Sequence, residues 1–199
     1  MKNLIINKTM NLISNNNHYD KTTLEEIRYG LVSIYLTFSK LIIIGIIAAI
    51  IGIFKEMIIL LIIYNILRSV SFGLHASKSW ICLLSSTLIF IGGPILCMNI
   101  QIPKIVISLI SLITICLIYL YSPADTKKRP IVNSKRRKIF KYLSTLFAIA
   151  YYIISLIIKN NFITNCLILS LIIQSIIIHP WTYKLFNMSY DNYKNFNMN

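Results

Sequence analysis

Apolar residues in this chain fall into long runs separated by short polar breaks, at residues 41–54, 57–67, 81–98, 105–121, 140–158 and 162–178. A bilayer core of about 30 Å needs roughly 20 apolar residues per helix. The last four runs reach or approach that length. The first becomes long enough if it extends back toward Leu31 with the Lys40 ammonium reaching the headgroups. The second becomes long enough if it continues to Val70, with Lys55 and Glu56 forming a tight turn between the two. A fused, broken helix or a shallow re-entrant pair is the alternative for these first two runs. Upstream, Leu4, Ile5, Met10, Leu12 and Ile13 sit among polar neighbours, the pattern of a helix lying on the headgroups. The N-terminus has no unbroken apolar run of secretory-signal length. The expected fold is therefore all-α and polytopic, with about six transmembrane helices, the first two short or re-entrant, after an N-terminal interfacial amphipathic helix. Residues 1–199 are read as a single membrane-embedded domain.

Composition supports this reading. Charged residues make up 13% and the hydrophobic set 56%, whereas a soluble domain carries roughly 25% charged residues to cover its surface. Mean hydropathy is +0.70. The net charge of +14 would suggest nucleic acid in a soluble protein, but here the charges flank membrane spans, so no nucleic-acid partner is implied. Six spans with a cytoplasmic N-terminus leave only Lys55, Lys104 and Lys159 outside. The remaining Lys and Arg fall in the N-terminal arm, residues 68–78, residues 122–141 and the C-terminal tail. This is the asymmetry that the positive-inside rule requires, and it puts both termini in the cytoplasm. Anionic lipid headgroups are the partners it implies. Trp80 and Trp181 fit interfacial anchors, and Gly92-Gly93-Pro94 is expected to loosen or kink the third span.

Two cytoplasmic stretches carry candidate chemistry. The first runs from Arg68 through Phe72-Gly73-Leu74-His75-Ala76 to Cys82. A thiol attacks as its thiolate, and a neighbouring imidazole or cation lowers its pKa from about 8.5. Seven residues in one straight helix separate two side chains by about 10 Å along the axis, whereas nucleophile and base must approach to about 3 Å. The backbone must therefore bend between His75 and Cys82, or His75 must precede the helix that carries Cys82. From the residues alone, interfacial packing stays open beside catalysis. The second stretch runs from Tyr121 through Ser122-Pro123-Ala124-Asp125-Thr126 to Lys127-Lys128-Arg129-Pro130, followed by Lys135, Arg136, Arg137, Lys138 and Lys141. Its two prolines break any continuous helix. Headgroup binding and reception of an acidic peptide both suit its charge.

Other chemistries lack support. There is no HExxH, no GxSxG, and no zinc-ligand spacing among Cys82, Cys97, Cys116 and Cys166. Glu25-Glu26 has no partner cluster, and His18 and His179 have no nearby nucleophile. No metal or cofactor is indicated. A transporter would place ionisable groups near mid-membrane, and the last four spans contain none.

Taken in order, the Arg68, Phe72–Ala76 and Cys82 set resembles the signature of the AgrB family of propeptide-processing membrane peptidases. The Tyr121–Pro130 stretch is similar to that family's second landmark. Where the family commonly has paired glycines before His-Ala, this chain has Phe72-Gly73-Leu74. The resemblance implies a cysteine endopeptidase, with Cys82 as nucleophile and His75 as general base. Its substrate would be an AgrD-like quorum-sensing propeptide, cleaved through an acyl-enzyme thioester and cyclised to a thiolactone or lactone. It further implies that Arg68 and the basic Lys127, Lys128 and Arg129 bind substrate, that the protein is a homodimer, and that it sits in a bacterial cell membrane with its active site at the cytoplasmic face. Asp125, Ser71 and Asn65 are candidates to orient His75.

Overall fold

A computed structural model describes residues 2–16, 20–74, 79–126 and 130–196. The described residues are helical apart from their connecting segments, two of which meet in a parallel bridge between Phe72 and Ala124. They divide into two compact units, residues 1–50 and 51–199.

The first unit holds α1 (Lys2–Asn16) and nearly all of α2 (Lys21–Ile51). The α1 helix occupies the segment expected to be amphipathic. The 31 residues of α2 extend about 46 Å at 1.5 Å per residue, so this helix alone exceeds the hydrocarbon thickness. It starts well before the apolar run because Asp20 anchors it. The Asp20 carbonyl accepts from Leu24 N, and its carboxylate accepts from the Thr22 and Thr23 hydroxyls, which hold the carboxyl below its usual range.

The second unit holds α3 (Phe54–Ser71), α4 (Ser79–Thr87), α5 (Gly93–Asn99), α6 (Lys104–Tyr121), α7 (Ser134–Ile157), α8 (Asn161–Ile178) and α9 (Pro180–Leu185). Lys55 and Glu56 do not form the expected turn. The chain breaks at Gly52–Ile53, where Gly52 has φ +81°, and both charged residues lie in the first turn of α3. Glu56 there faces the positive end of the helix dipole, which a turn position would forfeit. A π-helical segment, Leu88–Gly92, joins α4 to α5. Pro94 has no N–H for the Phe90 carbonyl, so the hydrogen-bond ladder widens by one residue just before it. This is the loosening expected of the third span. The α7 helix begins at Ser134, its N-terminus capped by Asn133, whose side chain accepts from Lys135 N and Arg136 N. The run Lys135–Lys138 is thus helical and not part of the preceding loop.

Among the described residues, five helices are long and apolar enough to cross a membrane: Thr22–Ile51, Trp80–Asn99, Lys104–Tyr121, Ser134–Ile157 and Asn161–Ile178. The protein is an all-α polytopic membrane protein. Helix α3 has the same length as α6 and α8 but carries Lys55, Glu56 and Arg68.

At the centre of the second unit is α8, which packs against α3, α5, α6 and α7. Its most apolar window is 56% buried, against 22% for α6 and α7, so its neighbours keep broad faces for lipid. The buried face of α8 includes Thr164, Asn165, Ser170, Gln174 and Ser175. Lipid tails match leucine in apolarity, so association in a bilayer relies on close packing and interhelical hydrogen bonds. Asn165 Nδ2 donates to the Cys97 and Ile100 carbonyls (2.9 and 2.7 Å), closing the end of α5. Tyr151 OH on α7 donates to the Ile63 carbonyl of α3 (2.6 Å). Where α5 meets α3 and α8, a Cβ on Gly93 would lie 2.7 Å from Leu60 and 3.2 Å from Leu169.

Candidate functional site

The first motif leaves α3 through a sharply turned backbone. Phe72 has φ +59° and ψ −138°, and Gly73 has φ +118°. The Phe72 conformation costs a non-glycine residue about 1–3 kcal/mol and persists only where its surroundings dictate it. Those surroundings come from four directions. Gly73 N donates to the Ala124 carbonyl (2.8 Å), and Ala124 N donates back to the Ser71 carbonyl (3.1 Å). Leu74 N donates to Ile177 O (3.4 Å). Gln174 Nε2 donates to Phe72 O (2.8 Å). Arg68 Nη2 reaches forward to the Leu74 carbonyl (2.8 Å). The Phe72 ring stands edge-on to Phe140, with centroids 5.0 Å apart. Only glycine fits at position 73, because a Cβ there would lie 2.7 Å from the Ile177 side chain.

Arg68 is half-buried, with its guanidinium 5.9 Å from the Tyr64 ring centroid. Its Nη1 is buried and has no partner among the described residues. One arm of the fork therefore secures backbone. Cys82 lies on α4, whose first residue is Ser79, and its half-buried thiol is free. His75, with Ala76, Ser77 and Lys78, lies outside the described residues, as do Lys127, Lys128, Arg129 and His18.

The second motif meets the first through the Phe72–Ala124 bridge. Next to that bridge, Asp125 is almost fully buried and ties three parts of the chain together. Its Oδ1 accepts from Asn192 N (3.0 Å), and its Oδ2 from Tyr193 N (3.0 Å), Ile131 N (3.3 Å) and Arg137 Nη1 (3.5 Å). The Asp125 carbonyl accepts from Tyr183 OH (3.1 Å). Arg137 also covers the Tyr193 ring, 3.5 Å from its centroid, and Asp191 pairs with Lys194 (2.6 Å). That pairing raises the Lys194 pKa. Burial raises the Tyr183 and Tyr190 phenols, and the Asp125 carboxylate near Tyr183 adds to the effect there. These C-terminal partners of Asp125 gave no signal in the sequence, because each contributes a backbone N–H or an ordinary tyrosine.

The three candidates for orienting His75 all have other bonds. Asp125 is engaged as above, the Ser71 hydroxyl donates to Leu67 O (2.9 Å), and Asn65 is exposed with its amide on Leu61 O (2.8 Å). His179 accepts from Trp181 N at the start of α9 and lies edge-on to Tyr121, which gives it a capping role. Trp80 and Trp181 are exposed, as anchors should be.

The family model for Accessory gene regulator B matches residues 6–178, which takes in both motifs and their bridge. The chain belongs to this family. A putative AgrB-like protein of Clostridium acetobutylicum is 33% identical over 171 residues, covering 86% of this chain and 82% of the relative. A putative AgrB-like protein of Listeria monocytogenes is 30% identical over 172 residues (86% and 84%). An accessory gene regulator protein B of Staphylococcus aureus is 32% identical over 165 residues (82% and 86%). No solved structure matches the chain. Within the AgrB match, the two motifs are separated by about fifty positions in sequence yet share main-chain hydrogen bonds, while α9 and the C-terminal tail residues that bond Asp125 lie beyond residue 178.

Proposed function

We propose that this protein acts in the accessory gene regulator system as a membrane-embedded cysteine endopeptidase on an AgrD-like propeptide. The observation that carries the reading is the joining of the two family motifs. The backbone that leads into His75 is bonded directly to the loop that leads into Lys127, Lys128 and Arg129. A peptide whose acidic tail pairs with that basic cluster would have its scissile bond close to the histidine–cysteine segment.

In this reading His75 takes the Cys82 thiol proton, and the thiolate attacks the scissile carbonyl carbon. The resulting tetrahedral intermediate collapses as the histidine returns its proton to the leaving amine. The C-terminal tail departs with a free amino group, and the leader remains as a thioester on Cys82. A thiol or hydroxyl within the peptide then attacks the thioester, closing the ring and regenerating the Cys82 thiol. The thioester conserves acyl activation, and a tethered nucleophile competes with water through high effective molarity. The bacterial cell membrane, a cytoplasmic active site, cytoplasmic termini, lipid contacts and a homodimer complete the proposal.

The test uses the full chain in lipid vesicles with a cognate AgrD-like propeptide, comparing wild type with Cys82→Ala and His75→Ala by mass spectrometry. Wild type is expected to release the tail and form the ring. Both variants, inserted and folded, are expected to lose at least about a hundredfold in rate, the lower end of what a nucleophile–base pair contributes. Normal cleavage by Cys82→Ala would sink the mechanism and require another nucleophile, whereas no cleavage by wild type would favour a non-enzymatic scaffold or small transporter.

A further inference from the structure

The residues leading into His75 are held by a side chain that neither motif contains. Gln174 lies four residues before the end of α8 and is completely buried. Its Nε2 donates to the carbonyl of Phe72, the residue whose positive φ redirects the chain. Its Oε1 is buried without a partner among the described residues. Packing alone would favour a residue without that orphan acceptor, because an unsatisfied buried polar atom is costly. Leucine or methionine would fill comparable space without it. What glutamine adds here is the one donor to Phe72 O. Arg68 holds the neighbouring Leu74 carbonyl in the same way from α3. The three-residue segment is thus held from both α3 and α8, with Gly73 fixed to Ala124 between them.

We propose that Gln174 is a positioning residue for the reaction, setting through the Phe72 carbonyl the path of the backbone that delivers His75. This rests on the cysteine-peptidase reading above. Gln174 touches neither substrate nor nucleophile in this scheme, and its effect passes through the backbone at residues 72–74. A displacement of about 1 Å in a reacting group costs up to a hundredfold in rate, and losing the donor frees Phe72 to relax toward an unstrained conformation.

The experiment uses the full chain in lipid vesicles and compares wild type, Gln174→Met, Gln174→Leu, His75→Ala and Cys82→Ala. Three quantities are measured: the melting transition, kcat and KM for an AgrD-like propeptide, and the pH profile of Cys82 alkylation by iodoacetamide, resolved by peptide mapping. The alkylation needs no substrate, so it reads the histidine–thiol pair directly. Both Gln174 variants are expected to melt like wild type and keep its KM. Their kcat should fall about 10- to 100-fold, and their alkylation profile should move toward that of His75→Ala. A Gln174→Met profile and kcat matching wild type overturn the inference. Loss of the melting transition in both variants assigns Gln174 to packing and overturns it equally. A wild-type alkylation profile identical to that of His75→Ala, or normal cleavage by Cys82→Ala, refutes the peptidase reading itself and is distinguishable from either result.

Discussion

Replacing Asp125 with alanine should release the C-terminal tail while leaving the helices in place. The carboxylate is inaccessible to solvent and accepts two 3.0 Å bonds from the Asn192 and Tyr193 backbone N–H groups, with a longer bond from Ile131 N and a 3.5 Å contact from Arg137. Hydrogen bonds to a charged acceptor contribute about 1.5–3 kcal/mol each. Counting only the two short ones gives about 3–6 kcal/mol. The Arg137 pair adds little, because its side chain is 20% exposed and water screens it. The loss cannot exceed the free energy that holds the tail, since residues 187–196 can peel into water once released. Hydrogen exchange of the full chain in lipid nanodiscs reads this locally. Protection at Asn192 and Tyr193 should fall at least about a hundredfold, the equivalent of some 3 kcal/mol, with α6, α7 and α8 unchanged. Propeptide cleavage should fall with it, because the same carboxylate holds Ile131 beyond the basic cluster, and the adjoining Ala124 is bonded to the backbone that leads into His75. Unchanged exchange at Asn192 and Tyr193 would refute the reasoning. Equal loss of protection in α8 would also refute it, because Asp125 would then be holding the bundle together rather than the tail.

Two further outcomes follow from other contacts. Asn165→Leu removes both donors that close α5; at about 0.6 kcal/mol per interhelical bond in a membrane, denaturant titration should show a loss of about 1–2 kcal/mol, and no loss would mean these carbonyls find other partners. Burial raises the Tyr190 phenol in the tail and the Tyr183 phenol in α9 against which it packs, so the folded tail and α9 retain protons that they give up above about pH 10 once the tail is released. Its stability should be complete below that pH and decline above it, followed by proteolytic release of the tail on a pH series; Tyr183→Phe with Tyr190→Phe should flatten the decline.

The membrane class, the helix-forming runs and both chemical motifs were legible in the sequence. Lipid contact is unspecific, so an apolar run declares itself whatever its neighbours are. The loosening at Gly92-Gly93-Pro94 was legible too, because a proline's missing N–H acts within one turn. Local boundaries were less so. The Lys55-Glu56 pair resembled a turn, but the chain breaks at Gly52 and places Glu56 at a helix N-terminus; the basic run from Lys135 resembled loop and is the start of α7.

Tertiary structure alone decided that Ala124 bonds to Gly73, that Asp125 serves the tail, and that α8 is the central helix with Gln174 beneath Phe72. No periodicity announces a hydrogen bond across a hundred residues. Such a bond depends on which faces of separate helices meet, and in a bilayer that choice is made by polar residues such as Asn165 and Gln174, which in the sequence stand as isolated interruptions of an apolar run.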